Sequence, residues 1–435
     1  MQAVLILTLA FCAALVASLA VKFWLMSRQM RHVAAHRAAV PGAFARTVTL
    51  SAHQRAADYT LAKGRFGLLS MAFAAAVLLG WTLLGGIDAL NALLRDAVQP
   101  RFGNMAYQLA LLAAFALVSG ALDLPFELYS TFRIEQRFGF NRMTWRLYLA
   151  DMLKGALVGA LIGLPIAALM LWIMGATGGL WWLWAWGAWM VFNLAVLVLY
   201  PTVIAPLFNK FEPLADESLK GRVQALMARC GFAAKGLFVM DGSKRSAHAN
   251  AYFTGFGAAK RVVFFDTLLS KLSAGEVEAV LAHELGHFKH KHVIKRIAAM
   301  FAISLGGFAL LGWLSTQTWF YLALGVRPSL GAPNDAVALL LFLLVAPVFA
   351  FFVSPLFAQL SRKHEFEADA YACRQADGND LAAALLKLHE DNAATLTPDA
   401  LYVRFYYSHP PASERLAALS RNPSSPALQP ARATP

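Results

Sequence analysis

Cysteine and acidic residues are the two scarcities of this chain. Its three cysteines, Cys12, Cys230 and Cys373, stand far apart without CxxC spacing. That excludes a disulfide framework and a thiolate metal site, and leaves them as small apolar fillers. Only 25 Asp and Glu oppose 38 Lys and Arg, for a formal net charge of +13. Charged residues make up just 14% of the 435 positions against 59% hydrophobic, with a mean hydropathy of +0.54. An ordinary soluble enzyme is excluded by that balance, which suits several membrane-spanning helices. Neither a phosphate-cradling glycine motif nor an internal repeat is present. Aromatic residues do not interleave with a basic stretch, so the positive charge reads as topology and attraction to the lipid bilayer, with no nucleic-acid partner.

Apolar stretches of spanning length lie at Ala3–Met26, Gly67–Ile87, Ala106–Tyr129, Met152–Gly175, Leu180–Ile204, Ile297–Leu324 and Ala336–Leu360, which predicts about seven transmembrane helices. The first lacks a basic segment before it and is followed by positive charge, so it reads as an uncleaved anchor with its N-terminus outside. Arg28, Arg31, Arg37, Arg46, Arg55, Lys63 and Arg65 face only Asp58 in the first loop, and Arg133, Arg137, Arg142 and Arg146 face only Glu135 in the third. By the positive-inside rule both loops are cytoplasmic. With seven spans, the insertion from Leu207 to Arg296 and the C-terminal segment fall on the same side.

That insertion carries LAHELGHFKHKH, Leu281 to His292. His283 and His287 are one helical turn apart, so both imidazoles can hold one Zn²⁺ while Glu284 reaches the water beside it. Ser273 and Glu276 form a capping box at the start of this helix, and Val277, Val280 and Leu281 supply its apolar stripe. A catalytic zinc needs a third protein ligand. SRKHEFEADA, Ser361 to Ala370, provides it as Glu365, with Asp369 four residues on to accept a hydrogen bond from a zinc histidine. Glu367 points about 200° away on a helix and is the weaker candidate.

Between the fifth and sixth spans the pattern turns to a soluble α/β rhythm. Asp216–Cys230 reads as an amphipathic helix, and Gly236–Met240, Ala249–Thr254 and Arg261–Asp266 read as strands. The middle run, His248 to Phe253 with Asn250 in it, is either the edge that pairs with an extended peptide or an ordinary strand of a three-stranded sheet. The expected organisation is a transmembrane region over 1–206, a cytoplasmic zinc-peptidase insertion over 207–296, spans six and seven over 297–360, a cytoplasmic helical part over 361–420 and a disordered Pro/Ser/Ala-rich tail over 421–435.

Beyond HELGH, the blocks LPFELYSTFRIEQRFGFNRMT, YPTVIAPLFNKFEPL, NAYFTGF, VVFFDTLL, SRKHEFEADA and YSHPPASERL occur in an order that resembles the type I CAAX prenyl endopeptidases, polytopic zinc metallopeptidases. The resemblance implies a mostly α fold, seven helices enclosing a chamber, closed by a gluzincin-type α/β zinc domain. It implies that His283, His287 and Glu365 ligate zinc, Glu284 is the general base, Asp369 supports the metal shell, and His409 and Arg415 lie near the bound peptide, a prenylated or other membrane-associated polypeptide, where either one adds a catalytic hydrogen bond to the tetrahedral intermediate or holds the peptide. His290 stands where the family has an apolar or uncharged residue and reads as an extra surface histidine; His292 reads as structural. The compact, Ala-rich build reads as a bacterial-type homologue in an inner membrane, which keeps open a role in membrane-protein quality control. A non-catalytic scaffold or channel, using Asp123, Glu127, Lys154 and Asn193 as a pathway, is the other class; the intact HExxH weighs against it.

Overall fold

A computed structural model describes residues 1–232, 236–254 and 261–421. The expected tail after Arg421 lies outside them, as do the glycines of the turn between the last two strands. Helix α1 (Gln2–Ala35) is followed by α2 (Leu50–Trp81), whose N-cap Thr49 accepts from the Ala52 amide, and by α3 (Gly86–Tyr129). Gly85 makes the turn between α2 and α3 at φ 81°, and α3 is itself kinked at Gly103, φ 82°, three residues after Pro100. Both angles lie in the left-handed region that only glycine enters without strain. α4 (Trp145–Ala176), α5 (Trp181–Leu199) and the short α6 (Ala205–Phe208) complete the N-terminal spans.

The soluble insertion begins with β1 (Phe211–Pro213), α7 (Glu217–Arg229) and β2 (Gly236–Met240). β3 (Ala251–Thr254), β4 (Arg261–Phe265), α8 (Asp266–Leu269) and α9 (Ala274–Lys289) follow. The sheet has four strands in the order β1-β2-β4-β3, so β3 is an edge, paired antiparallel to β4. Strand β1 was absent from the expected three; three residues ending in proline carry no readable alternation. The core between sheet and helices is made by Val223, Leu226, Val262, Phe264, Val277, Leu281 and Leu285.

α10 (His292–Leu314) is the sixth span, and the apolar run predicted to reach Leu324 breaks into a separate α11 (Thr318–Ala323). The seventh predicted span is bent by 67° between α12 (Asp335–Ala350) and α13 (Ser354–Gln375). Pro347 and Pro355 flank the break, and each removes an amide donor and disfavours helix in the residue before it. α14 (Gly378–Asp391), α15 (Ala400–Tyr406) and α16 (Ala412–Ser420) finish the described chain.

The largest buried cluster within the spans lies at one end. It includes Phe11 and Leu15 of α1, Trp81, Ile87, Leu111, Met170, Leu171, Ile173 and Met174 of α4, Trp181, Ala185, Leu311 and much of α12. Toward the sheet, α3 after Leu111, α5 after Ala185 and α10 before Leu311 bury almost nothing, and Asp123 and Glu127 are exposed. At that other end α1 and α2 still bury residues, among them Leu25, Val33, Ala56, Ala57 and Tyr59.

Candidate metal centre

α9 starts at a complete capping box: Ser273 Oγ accepts from the Glu276 amide and Glu276 Oε2 accepts from the Ser273 amide at 2.7 Å. Lys387 of α14 also donates to Glu276, at 2.8 Å. Gly286 lies against α13: a Cβ there would meet Ala368 Cα at 2.9 Å and its carbonyl oxygen at 3.0 Å. The absence of a side chain lets the HExxH helix close on the helix that carries Glu365.

Three ligand atoms converge across that contact. His283 Nε2 and His287 Nε2 are 3.3 Å apart, and Glu365 oxygens lie 3.5 Å from the first and 3.3 Å from the second. All three residues offer ligand atoms within 4.8 Å of one another. Glu365 is 5% exposed and its Oε2 is buried without a hydrogen-bond partner among the described residues. A buried carboxylate with one oxygen toward each imidazole, and Oε2 without a hydrogen-bond partner, costs free energy unless a cation joins them, so the donor set fits a divalent metal. Glu284 is half-buried, and its carboxylate has no hydrogen bond or ion pair among the described residues.

Behind the ligands the support is dense. Asp369 Oδ1 accepts from His283 Nδ1 at 2.8 Å and is itself held by Arg415, whose Nε donates to Oδ2 at 2.8 Å. Arg415 is 8% exposed and also stands 3.7 Å from Glu365 Oε2. Burial disfavours a charged His283, yet its hydrogen bonds to Asp369 and Glu365 outweigh that and carry its pKa up to about 9. This half of the site favours positive charge at the imidazole.

The expected residues separate into two positions. Arg415 was expected near the peptide; it is buried beneath the ligands, gripping Asp369. His409 is on the open side, its side chain 68% exposed and Nε2 3.4 Å from Glu365 Oε1. Asn250 is exposed just before β3, and its side-chain oxygen accepts from the Ala251 amide at 2.8 Å.

Two features escaped sequence reasoning. His290 is no surface histidine: it is half-buried, stacked on His292, with Nε2 buried and unpartnered among the described residues. Glu367 stands outside the ligand cluster but accepts from His292 Nε2 at 2.9 Å, and His292 Nδ1 lies 3.0 Å from His287 Nδ1. A second network joins the spans to the sheet domain. Tyr59 donates to Glu135 at 2.6 Å, Glu135 lies 3.7 Å from His248, and His248 Nδ1 bonds Asn392 at 2.9 Å.

Comparison with known proteins agrees with this architecture. Residues 29–210 match the model of the CAAX prenyl protease N-terminal region with its five membrane helices, and residues 213–422 match the model of peptidase family M48. The CAAX prenyl protease 1 homolog of Arabidopsis thaliana is 38% identical over 74% of this chain and 77% of its own length. CAAX prenyl protease 1 of Saccharomyces cerevisiae is 36% identical over 83% of this chain and 84% of its own. The crystal structure of S. mikatae Ste24p superposes with a TM-score of 0.89 at 30% identity, covering 95% of this chain and 99% of that one. The bacterial type read from composition is not borne out by these relatives, which are a plant and yeasts. An Ala-rich apolar composition reports the membrane solvent, not the source.

Proposed function

This chain belongs to peptidase family M48, on the membrane domain of the CAAX prenyl proteases, and is an integral multi-pass metalloendopeptidase. From that premise we propose that it holds one Zn²⁺ through His283, His287 and Glu365 and cleaves near the C-terminus of prenylated or otherwise membrane-associated polypeptides. The observation that carries the reading is the convergence of these ligands, with a Glu365 oxygen that has no hydrogen-bond partner among the described residues, next to the half-buried Glu284.

Bound zinc supplies a water acidified toward ~7 and polarisation of the scissile carbonyl. Glu284 takes the proton of the attacking water and returns it to the leaving amine. His409, exposed beside Glu365, is placed to donate to the carbonyl oxygen as charge develops there. Arg415 and Asp369 hold His283 in the tautomer that leaves Nε2 free for the metal. The edge strand β3, with Asn250 just before it, offers backbone groups to an extended peptide without reading its sequence.

The insertion 207–296 and the segment 361–420 together form the peptidase domain, with the spans 1–206 and 297–360 around it. The basic loops support a cytoplasmic zinc site. A multi-pass membrane region joined to this domain suits a substrate that keeps an apolar anchor in the membrane.

The test is hydrolysis of a farnesylated C-terminal peptide against its unprenylated twin by the purified protein, with Glu284→Gln as the blank. Faster cleavage of the farnesylated peptide supports the proposal. Equal rates would assign the enzyme to general membrane-polypeptide clearance, and no metal-dependent cleavage of either would return the scaffold reading.

A further inference from the structure

We propose that His292 and Glu367 are positioning residues that fix, by a hydrogen-bonded relay, which nitrogen of His287 faces the metal. The proposal rests on His287 being a ligand through Nε2. That nitrogen is the one turned to His283 Nε2 and Glu365, while Nδ1 points away and lies 3.0 Å from His292 Nδ1.

Two facing ring nitrogens at this distance share a single proton. With the Nε2 lone pair given to the metal, neutral His287 carries its hydrogen on Nδ1 and donates it. His292 Nδ1 must then be bare, which puts the hydrogen of neutral His292 on Nε2. That atom is 2.9 Å from Glu367 Oε2, a carboxylate that only accepts. The run His287, His292, Glu367 thus has one consistent direction and leaves no donor facing a donor. It is the counterpart, for the second histidine, of the Asp369 contact behind His283.

The surroundings hold the relay still. His292 is 1% exposed and stacks on His364 with ring centroids 3.9 Å apart, nearly parallel at 12°. Spacing on a continuous helix would carry a residue five positions on to another face. Lys291 instead adopts a left-handed conformation, φ 57° and ψ 30°, which ends α9 and swings His292 back over His287. A non-glycine residue in this region is strained, and such strain persists where the surroundings over-determine it.

One consequence concerns His290, His292 and Glu367, whose ligand atoms also lie within 4.8 Å of one another. In the relay, His292 Nε2 carries a hydrogen and has no lone pair for a cation. The protein therefore binds one metal per chain at His283, His287 and Glu365, and none here.

Metal-free protein in detergent is titrated with Zn²⁺ against a chelating indicator, and the Co²⁺ form is examined by visible absorption. His292→Phe should weaken metal binding about 10- to 100-fold, as loss of such outer partners does, and shift the cobalt bands. His292→Gln, which can accept from His287 and donate to Glu367, should recover most of the affinity and the native spectrum. Glu367→Gln, still an acceptor, should weaken binding less than Glu367→Leu. Melting of the metal-free variants separates misfolding from loss of orientation. Native affinity and cobalt spectrum in folded His292→Phe would overturn the relay, as would a second metal per chain that Glu367→Leu removes. Stoichiometric metal retained by His287→Ala would instead overturn the ligand assignment on which the relay stands.

Discussion

Glu284 and Glu365 are both carboxylates at one site, and their surroundings separate their tasks. Glu365 is nearly inaccessible and faces two imidazoles, whereas Glu284 is half-buried and unpartnered among the described residues. Glu284→Gln should keep its metal and its melting behaviour while hydrolysis falls by about 10² to 10⁴; single-turnover cleavage with metal analysis of the same sample measures both. Glu365→Ala should lose metal and activity together. His283 adds a pH dependence. Its pKa in the metal-free site is raised to about 9, so below that value a metal must displace a proton. Affinity should then rise with pH by about tenfold per unit until His283 has titrated. Competition titrations at several pH values give the slope, and a flat line would mean that no proton is displaced.

At the scale of elements, the site depends on how closely α9 and α13 lie. A methyl at Gly286 would strike the Ala368 backbone rather than a movable side-chain tip. Gly286→Ala should cost about 1–3 kcal/mol by overpacking and, by prising the two helices apart, weaken metal binding as well. Denaturant melts and metal titration of this variant are the check; unchanged values in both would mean that α13 moves aside freely. The HExxH helix and Glu365 were legible because ligands four apart on one helix, and a carboxylate with a partner four residues on, follow helical period. The His292 contact was not, because it runs through a left-handed Lys291 that no periodicity announces.

For the whole molecule, the join between spans and peptidase domain combines apolar clusters, such as Phe44 and Val48 with Leu396, and ion pairs. Arg28, near the end of α1, forms two hydrogen bonds to Asp399 at 2.9 and 3.3 Å, and Asp399 also caps α15 by accepting from the Leu401 and Tyr402 amides. Burial opposes the Asp399 charge, but Arg28 and those amides outweigh it and hold the carboxyl below its usual range. A depressed carboxylate stabilises the fold above its unfolded pKa, and that contribution disappears as pH falls through the folded value. Wild-type melting temperature should therefore drop in acid more than that of Asp399→Asn, measured by thermal melts from neutral pH downward. Orientation is tested separately. In a cysteine-free background, Ser329→Cys should react with an impermeant thiol reagent in intact cells, and Ser413→Cys only after lysis; the reverse pattern would invert the protein.

The sequence by itself determined which segments are long and apolar enough to span a membrane and which side chains share a helical face at the centre. Apolar length marks spans because a bilayer forces the backbone to bond within its own helix, and helical period sets His283 beside His287 and Glu365 beside Asp369. Only the tertiary structure decided what lies between segments far apart in the chain. It split the seventh span at Val353, set β3 at the sheet edge, buried Arg415 under the ligands and tied Glu367 to His292. These depend on the mutual placement of helices, which follows from packing across many residues and leaves no local period to read.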